Sequence, residues 1–243
     1  VIAAAPPGRI AASRIAFDAD AGMTRLARGG AAGPLRAVRG PRAAICAVTV
    51  VQTRGGLCDG DRWRVEVDAG PGARARLRAA GATVVQPGSS ALRTRLRAAT
   101  GAALSWRSAG VILAEGAQAR LTTVVDCDRG GRCAVSELVA VHGPRDAVLR
   151  LVVRCGGAVR YEERLRLDRD PRAPWRLGGA THLGTAVAAG RGARTLARRW
   201  EEALDGAGAA EALTPDLVLA RALGGSLAEL DELLGPLVEE AGT

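Results

Sequence analysis

Residues 55–61 read Gly55-Gly56-Leu57-Cys58-Asp59-Gly60-Asp61 and lie between two strand-patterned runs, Ile45 to Gln52 before and Arg62 to Asp68 after. Three glycines and two aspartates in seven residues specify a tight, shaped turn. Glycine reaches positive φ without steric cost, and aspartate accepts hydrogen bonds from its own backbone. No Gly-Lys-Ser/Thr follows and the next run is a strand, so the segment is not a phosphate loop. Taken alone it describes a structural hairpin and names no function.

Outward from this turn, residues 45 to 168 read as short strands at close spacing. Trp63, Val65 and Val67 alternate with Arg64 and Glu66; Ala73, Ala75 and Leu77 follow, then Leu92, Leu96 and Ala98, then Leu121, Thr123 and Val125, then Leu149, Leu151 and Val153. An internal echo begins at Gly72, Gly101 and Gly116, where a glycine turn launches a strand with alternate apolar positions. Such repetition predicts stacked β layers or a long meander. The expected fold is mainly β: a layered sheet or β-helix-like sandwich of many short strands, with a small C-terminal helical region.

The chain changes character near residue 169. Arg169 to Gly179 is rich in proline, arginine and glycine and reads as a loop, and Leu196 to Leu204 holds helix formers. Thr214 as N-cap, with Pro215 at the first helical position, predicts a helix ending at Gly224 or Gly225. Ser226 and Glu229 form a capping box that opens a last helix. There Leu230, Leu233, Leu234, Leu237 and Val238 share one face, with acidic residues largely off it. Pro236 is expected to kink or end that helix. The leucine face packs on the protein's own sheet or docks a partner. The organisation expected is one structural domain, with a β body over 1–180 and a helical region over 181–243.

Composition narrows the function. All 34 basic residues are arginine; residues 1–200 hold 33 of them against 15 acids, and residues 201–243 hold Arg221 against ten acids. A basic body suggests nucleic acid, yet Arg74, Arg76, Arg78 and Arg93, Arg95, Arg97 alternate along strands, which puts each trio on one sheet face. Six aromatics are too few for a base-stacking platform, so a solvated face or an acidic protein surface fits better than nucleic acid. Five scattered cysteines without C-x-x-C, and His142 and His182 far apart in sequence, predict buried reduced thiols and no stable metal site. No catalytic or dinucleotide motif is present, which argues against a hydrolase. No run of eighteen apolar residues occurs, and Val1 to Ile10 lacks signal-peptide features; a cytoplasmic location without a membrane role is expected.

Further stations appear in order along the chain: Thr24-Arg25-Leu26, Gly33-Pro34-Leu35-Arg36, the turn at Gly55, Gly56, Gly60 and Asp61, Pro71 to Ala75, then Leu104, Trp106 and Ile112. Gly116-Ala117, Glu137, and Arg221, Leu223 and Ser226 complete the series. This order resembles the urease accessory protein UreD (UreH) family. Departures occur at Arg78-Ala79, where the family has Thr-Thr, and at Ser108 and Gly110, where it has the prolines of Pro-Gln-Pro. The Gly-Arg and Gly-Glu pairs that usually follow the glutamate strand are absent after His142-Gly143.

The resemblance implies a non-enzymatic scaffold that binds urease apoprotein and, with UreF and the GTPase UreG, assists nickel delivery. It implies transient nickel and no tightly bound cofactor, since a carrier route for a borderline ion needs sparse, weak ligands. Asp61 and Glu137 are the acidic residues expected on a nickel path. The alternative for Asp61 is a cap of its own turn, and for Glu137 an ion pair with an arginine. Cys58 and Asp59 are lesser candidates for metal contact. The family places its C-terminal region against UreF, which makes Leu230, Leu233, Leu234 and Leu237 the candidate docking residues.

Overall fold

The computed structural model describes residues 10–30, 33–38, 42–142, 146–167, 180–190 and 192–242. In chain order the elements are β1 (Ile10–Asp20), β2 (Met23–Gly29), β3 (Leu35–Val38), β4 (Cys46–Gln52), β5 (Arg62–Ala69), β6 (Arg74–Ala79), β7 (Thr83–Val85), β8 (Gly88–Ala98), β9 (Ala103–Arg107) and β10 (Val111–Leu113). They continue with β11 (Ala117–Cys127), β12 (Arg132–Val141), β13 (Asp146–Cys155), β14 (Ala158–Leu167), β15 (His182–Ala189), α1 (Ala193–Leu204), β16 (Gly208–Thr214), β17 (Leu217–Gly224) and α2 (Leu227–Ala241). The chain is mainly β, as the alternation predicts.

Two sheets face each other. One has seven strands in the order β14-β13-β11-β8-β5-β1-β2; the other has ten, with β16-β17-β15-β12-β9-β6-β4-β3 as its path and β7 and β10 beside it. The middle of both is parallel and coiled. Arg62 is registered with Ala91 and Ala91 with Arg120, so each coil advances by the same length of chain. Antiparallel neighbours close the ends: β2 and β14 on one sheet, β3 and the β15–β17 group on the other. Inward residues such as Val65, Val67, Leu77, Leu96 and Val125 form the core between the layers.

The coil corners repeat. Ala73 N–H bonds Gly70 O, Ala102 N–H bonds Ala99 O and Gly131 N–H bonds Asp128 O, one tight turn per crossing between sheets. The glycine echo is therefore Gly72, Gly101 and Gly130, with φ of 69°, 70° and 78°. Gly116 belongs to a different corner, where its carbonyl accepts from Gly88 N–H. The expected third member was one strand out of step, because glycine–alanine pairs occur at both corners.

The turn at 55–61 is not a hairpin. β4 lies in the ten-stranded sheet and β5 in the seven-stranded one, so the segment arches between layers. Leu57 forms a one-residue rung on Val85.

The C-terminal part departs most from expectation. Residues 208–214 and 217–224 are strands joined by a turn in which Thr214 Oγ1 donates to Asp216 Oδ1 at 2.6 Å. The helix expected from Thr214 is absent, and the region 181–243 contributes three strands to the large sheet as well as two helices. β17 is covered on both faces, Leu217 by the sandwich core and Val218, Ala220 and Ala222 by the helices. A strand buried twice loses its period of two and reads as a continuous apolar run. The Arg169–Gly179 segment lies outside the described residues.

The serine half of the capping box forms as expected, while the glutamate caps Gly225 rather than Ser226. Ser226 Oγ accepts from Glu229 N–H at 3.1 Å, and Glu229 Oε2 accepts from Gly225 N–H at 2.9 Å. α2 runs through Pro236 to Ala241, so proline does not end it. Leu230, Leu234, Leu237 and Val238 are buried against the large sheet, and Leu233 packs at their margin. Burying a large aliphatic side chain stabilises by about 1.5–3 kcal/mol, and four of them together rival the stability of a whole domain. Of the four candidate docking leucines, Leu230, Leu234 and Leu237 are covered by the chain's own sheet and Leu233 is half-buried. No helix among the described residues is long and apolar enough to cross a membrane.

Candidate functional site

The apolar alternation fails at one level of the sandwich. On the inner face of the small sheet, register aligns Thr94, Thr123, Leu151 and Glu163 across β8, β11, β13 and β14. On the large sheet it aligns Glu137, Thr185 and Arg221 across β12, β15 and β17. The two rows lie on either side of a cavity of about 100 Å³ that reaches between the sheets from Gln52 and Thr83 to Glu163 and Arg221. The result is a polar seam through an otherwise apolar core.

Glu137 sits at the middle of this seam. Thr123 Oγ1 donates to its Oε1. Burial pushes its carboxyl up to about 7; the negative charge of Glu163 pushes the same way, and the Thr123 bond opposes both. A carboxyl in this setting is shared between its neutral and charged forms near neutral pH. At the far end Arg221 Nη2 donates to Glu163 Oε2, while Arg221 Nε has no hydrogen-bond partner. Burial, then Glu163, raises the nearby Tyr161 hydroxyl.

Asp61 lies elsewhere. Its Oδ2 accepts from Cys58 N–H at 2.9 Å, its own N–H donates to Cys58 O at 3.0 Å, and its carbonyl accepts from Ala91 N–H. It is 4% exposed and is not among the residues lining the cavity. The structure makes it the cap of its turn and separates it from Glu137. Asp59 likewise fixes backbone, accepting from Ser89 N–H at 2.7 Å. Gly56 has φ 126°, and a Cβ there would stand 2.4 Å from Val84 O. Gly60 has φ 79° and donates to Ser89 O. The glycine motif builds the corner on which β5 and β8 are registered.

Sequence reasoning found Glu137 but treated Thr123 as part of an apolar alternation and passed over Thr94, Thr185 and Glu163. The available signal was polar side chains at inward positions of apolar-alternating strands. His142 and His182 come together at one end of β12 and β15, ring centroids 6.0 Å apart and edge to face. No group of three metal-ligating side chains is assembled among the described residues.

Stacked parallel coils, antiparallel ends and a narrow polar seam define a β-solenoid sandwich that encloses a cavity between its layers. The UreD urease accessory protein family matches residues 9–241, and the chain belongs to that family. It is 31% identical to the urease accessory protein UreD of one Rhodopseudomonas palustris strain over 85% of this chain and 80% of the relative. It is 32% identical to that of a second strain over 73% and 68%, and 35% identical to that of Brucella suis over 63% and 58%. Other matches span down to 53% of the relative's length.

Proposed function

We propose that this chain is a non-enzymatic scaffold of urease maturation. It binds urease apoprotein and UreF, recruits UreG through UreF, and assists nickel delivery to the urease active site. Nickel is cargo in this reading, and the polar seam is its route. Family membership supports the maturation role; the seam supports the passage.

The chemistry of the seam suits a borderline divalent ion that must move on. Thiolate and imidazole would hold nickel firmly; the seam offers threonine hydroxyls and Glu137, which lies near its midpoint. A carboxyl poised near neutrality can exchange a proton for a cation, and a single carboxylate binds weakly. Arg221, paired with Glu163, sets the charge at one end. Of the positions that depart from the family pattern, Ala79, Ser108 and Gly110 lie on the cavity wall.

The observation that carries the reading is Glu137 among hydroxyls inside a sandwich of this family. Co-purification of the full chain with urease apoprotein and UreF tests the scaffold; association with neither defeats it. Nickel content of urease matured with Glu137→Ala against the native chain tests the route.

A further inference from the structure

The outer face of the seven-stranded sheet divides into two halves that treat arginine differently. Toward the C-terminal ends of the parallel strands β1, β8 and β13 the arginines meet acids, although exposed Arg25 and Arg28 on the antiparallel edge strand β2 form no ion pair among the described residues. Arg14 meets Glu66 at 3.0 Å, Arg95 and Arg154 meet Asp126 at 2.7 and 3.6 Å, and Arg97 meets Asp128 at 3.2 Å. At the N-terminal ends, Arg62, Arg64, Arg93, Arg120 and Arg164 are exposed and none of them forms an ion pair among the described residues. Only the rim is neutralised there, by Glu162 on Arg150 and Asp146 on Arg166.

Register makes the bare half costly. Arg64 lies directly beside Arg93, at the roughly 4.8 Å spacing of neighbouring strands. Like charges placed side by side on a sheet are destabilising. Glu66 on β5 and Asp126 on β11 neutralise arginines further along this face, so the fold can neutralise it and does so only in part. The bare rows also adjoin the Gly55–Asp61 corner, whose bonds from Asp61 O to Ala91 N–H and from Asp59 Oδ1 to Ser89 N–H set β5 against β8.

We infer that this half-face is the surface on which the chain docks a carboxylate-rich face of a protein partner. The inference rests on the scaffold reading above. Charge complementarity sets the partner's sign, and the guanidinium fork matches a carboxylate with two bonds. Strand registration fixes the arginines as a two-dimensional array, suited to a broad protein face. No aromatic side chain of the described residues projects from it, since Phe17, Trp63, Trp106 and Trp200 are buried and Tyr161 packs inward. A nucleic acid would find phosphate contacts here and no stacking platform.

The test is the double variant Arg64→Ser/Arg93→Ser in the full chain, with urease apoprotein and UreF as probes and a non-specific DNA duplex as control. Relief of the like-charge pair leaves the melting temperature unchanged or raised, while association with at least one protein probe weakens tenfold or more at 0.1 M salt. Unchanged association with both probes, in a preparation whose native chain binds them, overturns the docking surface and spares the scaffold reading. If the native chain binds neither, both fall. Affinity that is lost in the variant for DNA alone also overturns the inference.

Discussion

Arg107 grips Asp231 with both arms of its guanidinium, Nε to Oδ1 at 2.7 Å and Nη2 to Oδ2 at 2.9 Å, and so ties β9 to α2. Its Nη1 reaches Glu239 one turn pair further along, at 3.0 Å. The Arg107 side chain is 13% exposed, and the Asp231 bond holds its guanidinium above the ordinary range against the opposing pull of burial. This network fixes the helix whose leucines complete the core.

Asp231→Ala leaves Arg107 partly buried without its main partner and is expected to cost about 2–3 kcal/mol, below the figure for a fully enclosed pair. Gly235→Ala tests the same contact from the other side. A surface glycine-to-alanine change in a helix ordinarily stabilises by about 0.5–1 kcal/mol. Here the new Cβ would stand 2.3 Å from Arg107 Nε, so a loss of about 1–2 kcal/mol is expected instead. The two changes should be less than additive in urea melts, because the first removes what the second disturbs.

The fold was legible where one sheet face meets solvent. Trp63, Val65 and Val67 inside with Arg64 outside followed the alternation, and the Ser226–Glu229 box marked the start of α2. Legibility ended where both faces are covered. All eight residues of β15 are buried, and β17 is sheathed by core and helices, so neither shows a period of two. Parallel stacking was only half visible, since Gly72 and Gly101 mark one corner and Gly116 another. At the site, Glu137 was legible through its match to the glutamate of the family's corresponding strand. Its partners were not, because Thr123, Glu163 and Arg221 lie on β11, β14 and β17 and converge only through sheet register.

Glu137 gives the stability of the fold a pH dependence of known sign. The folded carboxyl keeps its proton up to about pH 7, whereas the ordinary value is 4.5. Between these values the native state binds more protons than the unfolded state, so this group's contribution falls as pH rises through the window. Glu137→Gln removes the penalty. The variant should match the native chain near pH 4.5 and exceed it above pH 7 by about 1–3 kcal/mol, as read from urea midpoints. A variant less stable than the native chain at pH 8 would show that Glu137 is held as a carboxylate.

Adjacent glycines of the corner motif should respond differently. Gly56→Ala combines a left-handed backbone position with a Cβ against Val84 O, and about 2–3 kcal/mol of destabilisation is expected. Gly55 has open space at its Cβ position, and Gly55→Ala should be neutral or stabilising by about 0.5 kcal/mol. Chemical denaturation of the two variants checks the contrast. Equal effects would mean that the motif is not a corner shaped by close approach.

The most direct test of the route is the nickel bound per urease active site after maturation with a variant whose seam is stripped of its polar groups, Thr123→Val/Glu137→Leu/Thr185→Val. The variant is first shown to be folded and to co-purify with urease apoprotein and UreF. Urease with nickel close to the level found without any accessory chain is expected. Nickel at the native level, with the complex intact, would contradict the route.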